Sequence, residues 1–457
     1  MSLKVIAAIA ACKGVKLVAR ILHKGGTAKP GEIALKICPE LLTVVSKGVE
    51  TIVVTGTNGK TTTCRMLEQA FTEAGLDCIA NRSGANLMSG IVTEFVTECS
   101  LSGKCRKKYA VMECDEGWTK KVLPAMQPKA FLVTNLFRDQ VDRYGDVDNT
   151  LAAIRAGVEG SPETTLVLNA DDHIVAALAK DVPNPVLWYG MDTALGEPGS
   201  VPGSAEVTKC MLCGAELEYD YVNYAHHGKY RCPNCGHARP ETNVGVSEVL
   251  SLGLDGSTVK LRVCDGTEMQ VYVNLPAVYN ISNAAGTVAG AQALGLSASD
   301  AAAAVEKFRP GFGRMEKFAI GACGARMVLV KNAAGCNQVL SFLLSQREPF
   351  RLIFVTNNRP ADGTDVSWLE DAKFERLVAM EPLTGVTLSG LCAETVRERL
   401  LRAGVAAEKI TIQPDYAALT EEISAAEAPV FILPSYTGMM EFRPFLVKKC
   451  GGKEFWE

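Results

Sequence analysis

The chain has 457 residues, a length that predicts two or three domains with separate cores and excludes a single small binding module. Its 47% hydrophobic and 21% charged residues are typical of soluble globular proteins and exclude a disordered or fibrous chain. A net charge of −4 provides no overall attraction to nucleic acid or to an anionic membrane. With sixteen cysteines and no cleavable signal segment, we expect a reducing cytoplasm, in which most scattered cysteines are buried hydrophobes.

The first predicted element is a basic helix over residues 1–24, within a helical N-terminal extension over residues 1–48. Its longest apolar run, Val5–Cys12, is far shorter than the ~20 residues that a bilayer span requires. Such a helix either packs on its own domain, which we favour, or rests on a membrane surface, which stays an alternative.

Residues 49–309 combine short apolar runs with helical patterns, such as the one over residues 61–74. Five runs are predicted strands: Thr51–Thr55, Tyr109–Glu113, Ala130–Thr134, Thr165–Asn169 and Pro185–Tyr189. Continuous apolarity is typical of strands buried on both faces of a parallel sheet. The alternation predicts a central α/β domain, with an insertion over residues 205–242 and hairpin-like strands over residues 244–273.

A second, smaller α/β domain is predicted over residues 310–457. A helical stretch from Pro276 to Phe308 precedes the glycine-punctuated segment 309–314, at which we place the domain boundary. Four further strands are predicted: Arg326–Val330, Arg351–Thr356, Val386–Ser389 and Val430–Leu433.

A phosphate-binding loop is predicted between the first strand and the helix that follows it. Its residues are Gly56, Thr57, Asn58, Gly59, Lys60, Thr61 and Thr62. The glycines let the backbone approach phosphate, the helix N-terminus faces the anion, and Lys60 adds a positive charge. The spacing departs from G-x-x-x-x-G-K-[ST], because Val54 stands where the first glycine is expected. The combined features nevertheless predict ATP binding rather than an ordinary glycine turn.

An Mg²⁺ site beside this loop requires hard oxygen ligands. Thr61 offers one oxygen from the loop, while Glu113, Asp115 and Glu116 follow the second predicted strand at the edge where ligands of open α/β sheets bind. Glu113 is our first choice for the carboxylate ligand. The alternative is that these acids only form a solvated strand end.

Four cysteines are predicted to bind a structural Zn²⁺. Cys210 and Cys213 form one C-x-x-C knuckle and Cys232 and Cys235 form another, at the spacing of a tetrahedral zinc ribbon. Four thiolates close the site to water, so we expect the metal to be remote from the chemistry; redox thiols are the alternative. Ribbons often bind nucleic acid, but residues 205–245 carry four basic and five acidic residues and thus no basic stripe.

Several motifs together resemble the Mur ligase superfamily. They are Thr55–Thr63, Thr134-Asn135 with Asp139–Arg143, Asn169–Asp172, Asn280–Asn283 and Pro310–Glu316. Within the superfamily the chain resembles the MurT branch, which lacks the usual first domain and has an inserted four-cysteine ribbon and a segment similar to Ala361–Trp368. The resemblance implies a Mur ligase-type parallel-sheet domain with an inserted ribbon, followed by a smaller α/β domain.

The resemblance also implies a reaction. ATP phosphorylates the α-carboxylate of D-glutamate in lipid II, and ammonia attacks the acyl phosphate to give the amide, D-isoglutamine, in peptidoglycan synthesis. The residues implied by motif position are Lys60 and Arg314 on the γ-phosphoryl group, Thr61 and Glu113 on Mg²⁺, Asn169 facing the adenine, and Asp172 in the ATP-binding set. Gln140 stands where many relatives have a metal-binding histidine, which leaves a second metal ion undecided.

Ammonia must come from solution or from a separate glutaminase. A glutaminase triad needs a cysteine, a histidine and an acid, but no histidine follows His237, so Cys392 is interpreted as a buried hydrophobe. The resemblance implies a heterodimer with a GatD-type glutaminase, whose Cys-His pair is completed by an aspartate of the ligase subunit. Asp365 is our candidate and Asp362 is next; the alternative is that both are turn residues beside Gly363.

Two other functions remain open at this point. One is a folylpolyglutamate-type or UDP-precursor-type amino-acid ligase, disfavoured by the short N-terminal region and by the segment Lys331–Gly335. The other is an ATP-gated zinc-ribbon module that binds RNA, disfavoured by the charge of the ribbon. We expect a cytoplasmic protein that contacts the inner membrane face only peripherally, through its lipid-linked substrate.

Overall fold

The computed structural model describes residues 2–21, 27–81, 85–137, 147–195, 208–309, 313–344 and 346–450. The chain divides into two compact units, one containing the described residues of 2–137 and 147–308 and the other those of 309–450. Each unit has its own sheet and its own hydrophobic core. The three-part division suggested by the sequence, with boundaries after residues 48 and 309, stays a proposal.

The first unit alternates helices and strands along most of its length. Its helices are α1 (Leu3–Ile21), α2 (Lys29–Ile37), α3 (Leu41–Val45), α4 (Lys60–Glu73), α5 (Met88–Glu98), α6 (Thr119–Met126), α7 (Val147–Glu159), α8 (His173–Ala176), α9 (Val278–Ala293) and α10 (Ala298–Lys307). Its strands are β1 (Glu50–Thr55), β2 (Cys78–Ala80), β3 (Tyr109–Glu113), β4 (Ala130–Val133), β5 (Thr165–Asn169), β6 (Val186–Met191), β7 (Glu218–Tyr224), β8 (His227–Arg231), β9 (Val244–Leu252), β10 (Ser257–Arg262) and β11 (Glu268–Val273).

Nine of these strands form one sheet in the order β11-β10-β9-β6-β5-β4-β1-β3-β2. The pairs from β2 to β9 across the sheet are parallel, whereas β9, β10 and β11 extend it as an antiparallel meander. Strand β1 lies between β3 and β4. The strands that follow β1 in sequence are added first on one side of it, as β2 and β3, and then on the other side, from β4 onward. In such sheets, ligands bind in the crevice beyond the carboxyl end of the strand at this reversal.

The N-terminal helices belong to the core of the first unit. Val5, Ile9 and Cys12 of α1 are buried in the same cluster as Leu41 of α3 and Phe95 of α5. Packing on its own domain, the favoured alternative for the first helix, is therefore observed for one face of α1. None of the described helices combines the length and apolarity that a bilayer span requires.

Strands β7 and β8 form a separate antiparallel hairpin between β6 and β9. This hairpin and the four cysteines constitute the inserted ribbon, which interrupts the sequence without interrupting the sheet, because β6 pairs directly with β9. The predicted hairpin-like strands after it are β9, β10 and β11.

The second unit is a smaller α/β unit with a six-stranded sheet. Its strands are β12 (Arg314–Phe318), β13 (Ala325–Val328), β14 (Phe350–Val355), β15 (Leu383–Ser389), β16 (Ile410–Ile412) and β17 (Val430–Pro434). Its helices are α11 (Ala333–Leu344), α12 (Trp368–Asp371), α13 (Ala393–Arg402), α14 (Tyr416–Ser424) and α15 (Tyr436–Cys450). The order is β12-β13-β17-β14-β15-β16, and only β12 is antiparallel to its neighbour.

The scattered cysteines largely behave as the sequence suggests. Those that are free and buried outside the ribbon are Cys12, Cys38, Cys64, Cys114, Cys336 and Cys392. Cys99 and Cys105 differ, because a tight loop after α5 pairs them across a β-bridge and the structure joins them by a disulfide.

Candidate functional site

The loop after β1 has a backbone shape that only glycine accepts easily. Gly56 has φ = 123° and Gly59 has φ = 85°, both in the region that L side chains rarely adopt. A Cβ on Gly56 would lie 2.2 Å from Thr134 Oγ1 and 2.8 Å from the carbonyl oxygen of Asn135. The glycines therefore let the loop approach closely the two residues that follow β4, Thr134 and Asn135, before α4 begins at Lys60.

Asn135 and Thr134 hold the loop from the end of β4. The backbone N–H of Asn58 donates to Asn135 Oδ1 at 2.9 Å, and Asn135 Nδ2 donates back to the Asn58 carbonyl at 3.0 Å. Thr134 Oγ1 donates to the same carbonyl at 2.7 Å. These bonds fix the direction in which the remaining loop N–H groups point, as an anion-binding loop requires.

Lys60 is buried and points back across the loop. Its Nζ donates to the carbonyl oxygens of Gly56 and Thr57 and lies 2.8 Å from Glu116 Oε1. The ammonium group is thus held against the loop backbone, and Glu116 balances its charge. The sequence named Glu116 only as an alternative metal ligand and missed this ion pair.

Thr61 and Glu113 lie together, as predicted. Thr61 Oγ1 donates to Glu113 Oε2 at 2.8 Å, and Asn86 Nδ2 approaches Glu113 Oε1 at 3.4 Å. The backbone of Glu113 is held by the side chain of Asn81, which donates to its carbonyl oxygen and accepts from its N–H. A hydroxyl at the start of α4 and a carboxylate at the carboxyl end of β3 offer the hard oxygen ligands that suit Mg²⁺. Asp115 instead caps the turn that follows, accepting from the N–H of Gly117.

Asn169 is fully buried at the end of β5. Its Nδ2 donates to the carbonyl oxygen of Thr134 at 2.9 Å and approaches Ser282 Oγ and His227 Nδ1 at 3.4 and 3.5 Å. Its Oδ1 accepts from the N–H of Asp171. The Asn169 amide can therefore face an adenine, as expected, only if these hydrogen bonds rearrange.

Asp172 is also fully buried and organises the neighbouring chain. Oδ1 accepts from the N–H groups of Ile174 and Val175, which caps α8, and Oδ2 accepts from the N–H of Leu136. His226 Nε2 lies 3.2 Å from one oxygen and His227 Nε2 lies 3.4 Å from the other. Burial raises the pKa of Asp172, but the adjacent histidines outweigh this and hold it well below its usual range. Burial lowers the pKa of His226.

These three side chains have the chemistry of metal ligands, with their ligand atoms within 4.8 Å of one another. The oxygens of Asp172 already accept three backbone N–H groups, which explains their position without a metal. We therefore interpret the group as a buried polar anchor between the sheet and the hairpin.

The ribbon hairpin reaches the predicted nucleotide edge through aromatic packing. The ring of Phe137 stacks on His227 with centroids 5.3 Å apart, and the ring of Tyr224 lies 4.4 Å from the same imidazole. The N–H of Phe137 donates to Thr57 Oγ1 at 2.9 Å, which connects the hairpin to the phosphate loop. The ribbon is thus not separate from the predicted ATP site. His226 and His227 were missed from the sequence, although two adjacent histidines where the hairpin turn enters β8 were a usable signal.

The four ribbon cysteines converge. Cys210 Sγ lies 3.6 Å from Cys235 Sγ, and Cys213 Sγ lies 3.5 Å from Cys232 Sγ. Zn–S bonds of ~2.3 Å in a tetrahedron require sulfur atoms ~3.8 Å apart, so the quartet fits a zinc ion closely. In each knuckle a glycine with positive φ, Gly214 or Gly236, donates its N–H to the carbonyl of the first cysteine.

Arg314 lies on β12 in the second unit, just after residues 310–312, which are outside the described part of the chain. The turn before it is fixed by Glu316, whose Oε2 accepts from the N–H of Gly313 at 2.9 Å. Arg443 of α15 binds both oxygens of Glu316, at 2.7 to 3.1 Å, and both side chains are buried. The sequence did not identify Arg443. Asp139–Arg143, including Gln140, also lies outside the described residues.

The two candidate triad aspartates differ in the structure. Asp365 is exposed, and it accepts from the N–H and hydroxyl of Ser367 at 2.7 and 2.8 Å. Asp362 is buried and accepts from the N–H and hydroxyl of Thr437 on α15. Cys392 is buried before α13, and burial raises the pKa of its thiol, in keeping with an inert side chain.

Two family models match the chain. The Mur ligase middle domain matches residues 54–235, which include the loop and the ribbon, and the MurT ligase C-terminal domain matches residues 329–439. The first match covers Lys60, Thr61 and Glu113, and the second covers Asp365.

Curated relatives and solved structures agree with these models. The chain is 33% identical to the lipid II isoglutaminyl synthase (glutamine-hydrolyzing) subunit MurT of Streptococcus pneumoniae, over 98% of each chain. It is 30% identical to the subunit of the same name from Staphylococcus aureus, over 94% of this chain and 95% of that one. A pseudomurein peptide ligase type C from Methanothermus fervidus has the same fold, with a TM-score of 0.66 at 20% identity over 88% of this chain and 79% of that one. The chain therefore belongs to the MurT family of Mur-type ATP-dependent ligases.

Proposed function

We propose that this protein is the ligase subunit of a lipid II isoglutaminyl synthase. Its relatives support a Mur ligase-type role in peptidoglycan synthesis. In the proposed reaction, the α-carboxylate of D-glutamate in lipid II attacks the γ-phosphorus of ATP, which gives an acyl phosphate and ADP. Ammonia then attacks the acyl carbon, phosphate leaves, and the carboxylate becomes an amide.

The observation that carries this proposal is the arrangement of the loop after β1. Lys60 and Thr61 begin α4, Glu113 faces Thr61, and all three lie at the sheet edge where β1 reverses the strand order. The backbone of Gly56–Thr62 is proposed to cradle the β- and γ-phosphates, with Lys60 neutralising the charge that spreads over the transferring group. Arg314 is proposed for the same charge on the basis of its motif position alone.

The proposed metal roles are supported by the same contacts. Thr61 and Glu113 are proposed to hold Mg²⁺, which when bound screens the phosphate charge. Asn86 and Asn81 orient Glu113. The cysteine quartet is proposed to hold Zn²⁺ in a purely structural role, because four thiolates leave no open coordination position.

Ammonia is proposed to come from a GatD-type glutaminase that forms a heterodimer with this chain. The relatives are named as glutamine-hydrolysing and as subunits, which supports a separate glutaminase chain. Asp365 is proposed to orient the histidine of the partner, and its exposure supports this over the buried Asp362.

The competing function is an amino-acid ligase that forms a peptide bond. Asn332 favours amidation. Its buried side chain accepts from the N–H of Gly335 at the start of α11, and an amide, unlike a carboxylate, provides no negative charge to bind the amine of an amino-acid substrate. Ammonia needs no such recognition site.

The two functions are separated by supplying the purified chain with ATP, Mg²⁺ and lipid II and adding either ammonium or single amino acids. We expect ADP and amidated lipid II to form together with ammonium alone. Product that forms only with an amino acid, and contains it, would identify a peptide-forming ligase instead.

A further inference from the structure

Helix α1 has an exposed apolar stripe. Its residues are Leu3, Ala7, Ala10, Gly14, Leu17, Val18 and Ile21, and all of them are exposed. At 3.6 residues per turn they fall within an arc of about 100° on one side of the helix. Leu3 is 84% exposed and Ile21 is 67% exposed, while Val5, Ile9 and Cys12 on the other side pack in the core. A helix at the surface of a globular protein normally has polar residues on its outer face, so this face is unusual.

The charge of α1 is opposite to that of the chain. The helix has four basic residues and no acidic one, whereas the whole chain has a net charge of −4. Lys4 and Arg20 are exposed and lie on either side of the apolar stripe. Lys13 donates to the carbonyl oxygen of Cys99, the residue after α5, and Lys16 forms an ion pair with Glu94 of α5. An apolar stripe bordered by cations complements a surface that is both anionic and apolar.

We infer that α1 docks on the surface of an anionic phospholipid bilayer, lying in the plane of the headgroups. One face of the helix is held in the protein core, so the helix cannot cross the bilayer, but its outer stripe can enter the headgroup region along about 28 Å. This contact would keep the protein at the surface in which a lipid-linked substrate diffuses. It is a property of α1 alone and requires neither ATP nor catalysis.

The test is sedimentation of the purified full chain with vesicles of phosphatidylglycerol and phosphatidylcholine, compared with vesicles of phosphatidylcholine alone. We expect binding to the anionic vesicles only, and weaker binding at ~0.5 M salt because surface charges are screened. The double variant Leu17→Glu, Ile21→Glu should bind at least about tenfold more weakly, since two inserted side chains are lost and two negative charges are added.

The matched control is Leu250→Glu, Leu252→Glu on β9, which makes the same change of charge at two exposed leucines. It should bind like the unmodified chain. Melting temperatures of both variants, and amidation of detergent-solubilised lipid II with ammonium, should be unchanged, which separates this inference from the proposed reaction. Absence of vesicle binding, equal losses in both variants, or a dimer in solution that the Leu17→Glu, Ile21→Glu change converts to a monomer would each overturn it.

Discussion

In the proposed function, single residues in the loop after β1 and at the start of α4 determine phosphate binding. Lys60 is buried against Glu116, so the two charges depend on each other. Breaking a buried ion pair by removing only Lys60 typically destabilises a protein by about 3–5 kcal/mol, because the Glu116 carboxylate loses a cation that faces it. A useful variant must therefore remove both charges.

The first prediction concerns this ion pair. Lys60→Met combined with Glu116→Gln should fold normally, because it replaces a charge pair by groups of similar size. Amidation should fall on the order of 10²–10³-fold or more, as on removal of other preorganised groups that stabilise developing charge. Steady-state rates and thermal melting measure the two effects. Near-normal turnover of the folded double variant would show that Lys60 does not act on the phosphoryl group.

The second prediction concerns Gly56. Gly56→Ala would bring a Cβ within 2.8 Å of backbone and 2.2 Å of Thr134 Oγ1, so the loop must move. We expect loss of nucleotide binding, measured by calorimetry. Gly75→Ala is the control, because Gly75 also has positive φ but open space around it. That change should destabilise the protein by only about 1–2 kcal/mol and leave nucleotide affinity intact. Equal nucleotide affinities in the two variants would contradict the close approach at Gly56.

At the scale of elements, the sequence predicted most of the architecture. The buried strands β1, β3 and β5 have strong, continuous apolar runs and appear within one residue of their predicted bounds. Strands β2 and β16 were missed, since each has three residues and too short a pattern to recognise. Strand β12 was missed because Arg314–Phe318 follows a glycine-rich segment that was interpreted as a linker.

The candidate site was predictable where residues adjacent in sequence act together. The loop and the cysteine knuckles carry fixed spacings, so the sequence grouped Lys60 with Thr61 and the four cysteines with one another, as the structure does. The contacts of Phe137 with His227, and of Arg443 with Glu316, join residues about 90 and 127 positions apart in the chain. Such pairs have no local pattern and become visible only when the sheet is assembled.

The third prediction concerns the ribbon as an element. The chain should bind one zinc ion, and Cys213→Ser should lose it, as measured by metal analysis. Because His226 and His227 pack on Asp172 and Phe137, loosening the ribbon should also weaken ATP binding, beyond its effect on stability. Cys264→Ser, at an exposed cysteine outside the ribbon, should change neither property. Full zinc occupancy after replacing all four ribbon cysteines by serine would mean that other ligands hold the metal.

At the scale of the whole molecule, the proposed function couples two reactions, ammonia release by a partner and phosphoryl transfer by this chain. The fourth prediction separates them at Asp365. Asp365→Asn keeps the size of the side chain but no longer holds an imidazole in the correct tautomer, so glutamine hydrolysis by the complex should fall steeply. Amidation driven by high ammonium should survive.

Asp362→Asn provides the contrast. Asp362 is buried against Thr437, so this change should lower the melting temperature and affect both reactions in parallel. If Asp365→Asn instead abolishes the ammonium-driven reaction as well, Asp365 belongs to the ligase site or to folding, and a shared triad is wrong.

The most direct test of the proposed function is transfer of an isotopic label by this chain co-expressed with the proposed GatD-type glutaminase. The complex receives lipid II, ATP and glutamine labelled at the amide nitrogen, and the products are analysed by mass spectrometry. We predict one labelled amide on the D-glutamate residue of lipid II for each ADP formed, and none without ATP. Unlabelled lipid II with ongoing ATP hydrolysis, or incorporation of a whole amino acid, would contradict the account.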